Sequence, residues 1–402
     1  MADPKLRLNS RMNRVQSPLI PVIGELIRQN PGTISLGQGV VFYPPPPEAI
    51  ASINEFLASP NNHKYQAVEG IPPLIAAIKS KLQAENNITI DQCSAIAVTA
   101  GSNMAFLNTV FAITSPGEEI ILNTPYYFNH EMAITMASCQ PILVATDANY
   151  QLRPDAIAKA ITNKTKAVVT ISPNNPTGVV YDSSALAEVN QICREKGIYH
   201  ISDETYEYFT YNGIKHLSVA SLPNSHNHTI SLFSLSKAYG FASWRIGYMV
   251  IPQQLLMAVK KAQDTNLICP PVISQYAALG ALQAGIDYCH QHLPNIVIVR
   301  EKILHELSKI KDICTVAPTA GAFYLFLKIK TDIPDLELAK KLIEEYQVGM
   351  LPGSTFGMRD GCYLRIAYGA LEAETAVKAI PACALREKVR CVRSCIRWIL
   401  AR

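Results

Sequence analysis

The run Ala167-Val168-Val169-Thr170-Ile171 stops at Ser172-Pro173-Asn174-Asn175-Pro176-Thr177-Gly178, and Tyr199-His200-Ile201-Ser202 stops at Asp203-Glu204-Thr205-Tyr206. Each is a short apolar run closed by a polar turn. A longer amphipathic stretch lies between them, the pattern of parallel strands joined by crossover helices. The alternation extends outward over about residues 90–250 and places further strands at Ala95–Thr99, Glu119–Asn123, Pro141–Ala145, Thr229–Phe233 and Gly247–Ile251. The expected fold class is α/β: a large domain whose mostly parallel seven-stranded sheet is flanked by helices.

Beyond about Asn295 the pattern changes to a long helix (Ile296–Lys309), a strand-like Ala322–Lys328, a helix Asp335–Tyr346 and a strand-like Cys362–Ala367. This reads as a smaller α+β domain built from the C-terminal segment and the N-terminal arm. The arm holds a helix-like Pro21–Gln29, then Gly37-Gln38-Gly39, then Pro44–Pro47, four successive prolines that predict an extended crossing between domains. The expected division is 1–47 for the arm and part of the small domain, 48–295 for the large domain, and 296–402 for the small C-terminal domain.

Composition narrows the function classes. The chain has 402 residues, 49% hydrophobic and 17% charged, enough apolar surface for a sizeable core. Its net charge of +4 is spread along the chain, so nucleic acid is not an expected partner. No run approaches the roughly 18 apolar residues of a membrane helix, and Met1–Arg14 lacks a secretory apolar core, so a cytoplasmic protein with no membrane partner is expected. The 10 cysteines show no Cys-x-x-Cys pair and read as free thiols. Cys391 and Cys395 have no His or second Cys pair nearby to complete a zinc set, and no metal is expected.

The sharpest chemical signal is Ser234-Leu235-Ser236-Lys237-Ala238-Tyr239-Gly240, with Arg245 eight residues after the lysine. A lysine lodged among apolar and cationic neighbours loses its proton readily and can attack an aldehyde; an isolated lysine is ordinarily a solvated surface charge. Context separates the two readings. In a parallel sheet the strand C-termini open onto one edge, so Asn175, Asp203 with Tyr206, and Lys237 converge on one crevice. Taken singly, Asn-Pro-Thr-Gly is a turn, Asp203 a helix cap and Tyr206 a core residue. Gly101, Ser102 and Asn103 open the helix-like Met104–Ile113 and present backbone N–H groups to an anion such as phosphate, or form an ordinary N-cap. Tyr126-Tyr127, after Pro125 at the end of the second strand, offers an aromatic face for a flat ring.

These elements together resemble the fold type I pyridoxal-phosphate aminotransferases of class I/II. The likeness runs over nearly the whole chain in residue type, order and approximate spacing, through to Tyr363-Leu364-Arg365 near the C-terminus. It implies a pyridoxal 5′-phosphate enzyme exchanging an amino group between an L-amino acid and a 2-oxo acid in a ping-pong cycle. Catalytic roles fall to Lys237, the Schiff-base lysine and proton carrier, Asp203 against the pyridinium nitrogen, and Tyr206. Cofactor binding is implied for Gly101, Ser102, Asn103, Tyr127, Asn175, Asp203, Tyr206, Ser234, Ser236, Lys237 and Arg245, with Tyr65 reaching the phosphate across a homodimer interface. Substrate binding is implied for Gly39, Asn175 and Arg365, whose fork suits an α-carboxylate.

The same scaffold also supports a lyase, cyclase or oxidase, or a non-catalytic cofactor sensor. The arm Leu36-Gly37-Gln38-Gly39 resembles the subgroup acting on glutamine, kynurenine and methionine. It departs where that subgroup has Phe-Pro-Asp-Phe-Pro-Pro, continuing here as Val40-Val41-Phe42-Tyr43-Pro44, so that preference does not carry over. After Ile380 the tail also departs, with five Arg, three Cys and Trp398 where the family closes with an amphipathic helix.

Overall fold

The computed structural model describes residues 10–371, so Cys383, Cys391, Cys395 and the tail after Ile380 lie outside the described residues. Its strands, in chain order, are β1 (Ile34–Ser35), β2 (Ser94–Thr99), β3 (Glu119–Thr124), β4 (Gln140–Ala145), β5 (Thr165–Ile171), β6 (Tyr199–Asp203), β7 (Thr229–Ser234) and β8 (Gly247–Pro252). There follow β9 (Cys314–Val316), β10 (Tyr324–Ile329), β11 (Val348–Gly349), β12 (Leu351–Pro352) and β13 (Cys362–Ala367).

Strands β2 to β8 form one seven-stranded sheet in the order β2-β8-β7-β6-β5-β3-β4. Only β8 runs antiparallel to its neighbours, and the other pairings are parallel. This bears out the expected α/β class and its mostly parallel sheet. Every residue of β2, β7 and β8 is buried, because helices cover both faces. One core packs Phe106, Val110 and Ile134 against Leu122, Ile201 and Leu232. The core on the opposite face joins Val168 and Ile121 to Leu186, Val189 and Cys193 of the helix Ser183–Lys196. Gly197 ends that helix in the left-handed region, the position at which a residue without Cβ is least strained.

The small antiparallel sheet has the order β12-β13-β10-β9, packed with the helices Leu293–Leu307 and Asp335–Tyr346. The helix Leu293–Leu307 crosses the expected division at 295 and starts before the expected Ile296. Pro294 sits in its first turn, where the missing N–H is not needed, whereas apolar periodicity becomes visible only from Ile296. The expected strand at Ala322 starts instead at Tyr324, since Ala322 has φ +49 and cannot extend the ladder.

The arm pairs with β11 through β1 in a separate two-stranded parallel sheet, and Ala367 N of the small sheet's β13 donates to Leu36 O at 2.7 Å. It then crosses the large sheet's edge, where Tyr43 Oη donates to Lys237 O at 2.9 Å. Gly240, at φ +67, passes so close beneath that a Cβ would stand 2.6 Å from Tyr43 O. Not all of Pro44–Pro47 is extended: Pro47 opens the helix Pro47–Leu57, because proline's fixed φ suits the first helical position while excluding later ones. No helix among the described residues is long and apolar enough to cross a membrane. All seven described cysteines are free.

Candidate active site

Three strand ends create the site. β5 stops at Ile171 before the Asn174–Gly178 turn, β6 stops at Asp203, and β7 stops at Ser234, which opens the four-residue helix Leu235–Ala238 carrying Lys237. Because these strands are parallel neighbours, their C-terminal ends point the same way and enclose one cavity of about 250 Å³. Of the expected site residues, Gly39, Ser102, Asn103, Tyr127, Asn175, Asp203, Tyr206, Ser234, Ser236, Lys237, Arg245 and Arg365 line it. Gly101 stands just behind the wall as the N-cap of the helix Ser102–Ile113. Tyr65 is not brought into the cavity, and is 78% exposed after the turn Pro60–His63.

One end of the cavity is built to hold an anion. The first N–H groups of the helix Ser102–Ile113 have no intrahelical acceptor. Ser102 Oγ accepts from Thr205 Oγ1 at 3.2 Å, and Ser234 Oγ caps its own short helix by accepting from Ser236 N at 3.2 Å. Arg245 reaches over this end, its Nη1 donating to Ala242 O at 3.0 Å. Gly101 is needed there: at φ +80 a side chain is strained, and its Cβ would lie 2.6 Å from Arg245 Nη2.

Asp203 lies deeper, 4% exposed, with Oδ1 accepting from Thr205 N at 3.1 Å and Oδ2 3.2 Å from His130 Nε2. The His130 contact is short but poorly aligned for a hydrogen bond. The His130 ring stacks on Phe106 at 3.9 Å and meets Tyr127 edge-on at 5.2 Å. Tyr127 is oriented in turn by Asn129 Nδ2, which donates to its hydroxyl at 2.8 Å.

Lys237 Nζ donates to Gly39 O at 2.5 Å. Burial, followed by the charges of Arg365 and Arg245, lowers its pKa to about 8, while Asp203 opposes the shift. At pH 7.5 roughly a quarter of such amines are neutral, against about one in a thousand at the ordinary value. Arg365 is 2% exposed; Nη1 donates to Asn175 Oδ1 at 2.8 Å and Nη2 to Gly37 O at 2.6 Å, while Nε is buried without a partner. Its guanidinium is sandwiched by Tyr324 at 4.5 Å and Phe356 at 5.0 Å, and burial lowers its pKa.

A buried guanidinium with an unpartnered N–H, a lysine of depressed pKa, a buried carboxylate and a helix N-terminus beside Arg245 share one cavity. The family model for aminotransferase class I and II matches residues 31–382. The chain belongs to the class I and II aminotransferases. An aromatic aminotransferase of Arabidopsis thaliana is 32% identical to it over 375 residues, covering 91% of this chain and 92% of that protein. An aspartate aminotransferase of Pyrococcus abyssi is also 32% identical, covering 90% and 94%. Among solved structures, a single mutant of the Thermus thermophilus aspartate aminotransferase superimposes with a TM-score of 0.85 at 27% identity, over 96% of this chain and all of that one. This aminotransferase is therefore a transaminase of a pyridoxal-phosphate-using family, moving an amino group between an amino acid and a 2-oxo acid.

Sequence reasoning missed Thr205, Tyr324 and His130. Thr205 lies inside the Asp203–Tyr206 motif and was within reach, since its neighbours on both sides were singled out. Tyr324 and His130 come from distant segments and carry no local spacing signal; both are placed by packing. Ile20, Val40 and Phe128 add an apolar side to the cavity.

Proposed function

We propose that this aminotransferase works with pyridoxal 5′-phosphate held in the cavity, with Lys237 as its anchoring lysine and proton carrier. The observation that carries the reading is the convergence of Lys237, Asp203, Arg245 and Arg365 in a single cavity. The donor set fits the group: Gly101's missing Cβ lets the Arg245 guanidinium pack against the start of the helix at the cavity's anion end, with Ser102, Asn103, Ser234 and Ser236 as further donors. When bound, the cofactor supplies an electron-withdrawing pyridinium ring that accepts the electron pair left as the substrate Cα–H bond breaks.

The protein's part follows from its own groups. Asp203 would hold the proton on the ring nitrogen, its carboxylate oriented by the hydrogen bond from Thr205 N with His130 packed against the other oxygen. Asn175 and Tyr206 donate toward the phenolic oxygen. Tyr127 covers one ring face. Arg365 grips the substrate α-carboxylate in a planar fork, with Gly39 near the same carboxylate, so the Cα–H bond is held at a constant angle to Lys237. The amine of Lys237, partly neutral near pH 7.5, takes that proton and returns it on the other side of the transfer.

The large part, residues 48–295, carries the anion cup and Lys237. Of the described residues, 10–47 and 296–371 make up the smaller part, carrying Gly39 and Arg365, so substrate would lie between the two. The same reading makes the working unit a homodimer in which the exposed Tyr65 reaches the partner's phosphate site.

The test is to incubate the yellow holoenzyme with a panel of L-amino acids and no oxo acid. Conversion of the cofactor to its amine form with one equivalent of 2-oxo acid released is expected. Continuous ammonia release or oxygen consumption would instead assign a lyase or oxidase.

A further inference from the structure

Tyr324 opens β10 opposite Ala367 of β13, and Phe326 lies opposite Arg365 in the same pair of strands. Tyr324 and Arg365 are therefore diagonal neighbours on one face of the sheet. The Tyr324 ring covers the guanidinium at 4.5 Å, and its hydroxyl meets the Tyr206 hydroxyl at 2.6 Å. The two rings cross edge to face, with centroids 5.5 Å apart. Both side chains are buried, at 1% and 4% exposure, and both line the cavity. On its other side the Tyr324 hydroxyl abuts the backbone of Gly39, where no side chain fits. Among the described residues the Tyr324 hydroxyl has Tyr206 as its one hydrogen-bond partner.

We infer that Tyr324 is a positioning residue for transamination: it donates its proton to the Tyr206 oxygen and so points and polarises the Tyr206 O–H toward the ligand. The inference rests on the reading of the cavity as a cofactor site. Each hydroxyl carries one proton. If Tyr206 spends its proton on the ligand's phenolic oxygen, the short contact requires that Tyr324 be the donor between the two phenols. Donation into an oxygen that is itself donating strengthens the outer bond, an effect that a buried setting preserves. The positive charge of Arg365 against the Tyr324 ring makes that phenol a better donor and holds the ring still. The ionisable groups acting on the pair are Arg365 and Tyr127, while Lys237, Asp203 and Arg245 line the same cavity. Burial raises the pKa of both phenols, so both remain protonated donors throughout the working range.

The experiment is Tyr324→Phe, which keeps the ring on Arg365 and removes only the hydroxyl, read by spectrophotometric pH titration of the holoenzyme. A weaker Tyr206 donor leaves the ligand's phenolic oxygen less stabilised and better able to retain the proton of the Lys237 linkage. The apparent pKa of the Lys237-bound cofactor should rise by a few tenths to about one unit. Tyr206→Phe should raise it further, and the double variant should match Tyr206→Phe alone. KM for amino acids should change less than twofold in Tyr324→Phe, since the Arg365 stack remains. An unshifted titration in Tyr324→Phe beside a shifted one in Tyr206→Phe overturns this inference alone, as does additivity of the two changes. A wild-type protein that shows no lysine-bound cofactor absorbance overturns both this inference and the reading of the cavity.

Discussion

Lys237 should destabilise the cofactor-free protein at neutral pH. Its folded pKa of about 8 lies below the unfolded value of about 10.4, so folding a protonated Lys237 costs about 3 kcal/mol at ~1.4 kcal/mol per pH unit. The sign follows from proton counts. Between the two values the unfolded chain binds more protons, so stability rises with pH across that window; the cost is fully present below pH 8 and fades as pH approaches 10.4. Lys237→Met replaces the amine by an apolar chain of similar length and removes that cost, while losing the hydrogen bond to Gly39 O, worth about 1 kcal/mol. The expected net gain is about 2 kcal/mol at pH 7 and close to zero at pH 10. Urea unfolding of both apo proteins at equal protomer concentration measures it, as a shift in midpoint at each pH. A variant no more stable than wild type at pH 7, or an advantage undiminished at pH 10, would refute the argument that the site strains its own lysine.

Three further outcomes are expected. Lys237→Ala should abolish multiple turnover and the lysine-bound cofactor absorbance, although cofactor can still be held through its phosphate; borohydride reduction onto another lysine would place the anchoring amine elsewhere in the chain. Asp203→Asn should leave a cofactor-containing protein whose single-turnover rate falls by roughly three orders of magnitude or more, about 4 kcal/mol, and near-normal rates would remove Asp203 from its role. For Arg365→Lys, kcat/KM should drop on the order of ten- to a thousandfold by a similar factor for every amino acid, because the charge survives but the fork does not; an equal loss with a simple amine lacking the carboxylate would mean that Arg365 serves the fold instead.

Much of this molecule was legible before folding. The seven strands of the large sheet were each read to within two residues, since buried strands of this kind are short β-branched runs bounded by turns and need no distant information to be seen. Most of the expected site residues, though not Tyr65 or Gly101, line the cavity for a related reason. Chemistry placed at the C-terminal ends of parallel strands is announced by polar motifs that directly follow apolar runs, as at Asn175, Asp203 and Lys237. Pro47 and Leu293 show where local reasoning stops short, because proline forbids a helix interior and yet favours a helix start, and the composition of a segment does not say which applies.

The tertiary structure alone decided the lateral order of the strands and the contacts between remote segments. Strand β8 inserts antiparallel between β2 and β7, yet its sequence has the same continuous apolar character as the strands that pair in parallel, since burial on both faces erases any mark of direction. His130 reaches Asp203 across 73 residues of chain, and Tyr324 reaches Tyr206 across 118. No periodicity or spacing encodes such pairs. A side chain's chemistry and its local backbone are written in its immediate neighbours, whereas its partner in space is set by the packing of whole elements.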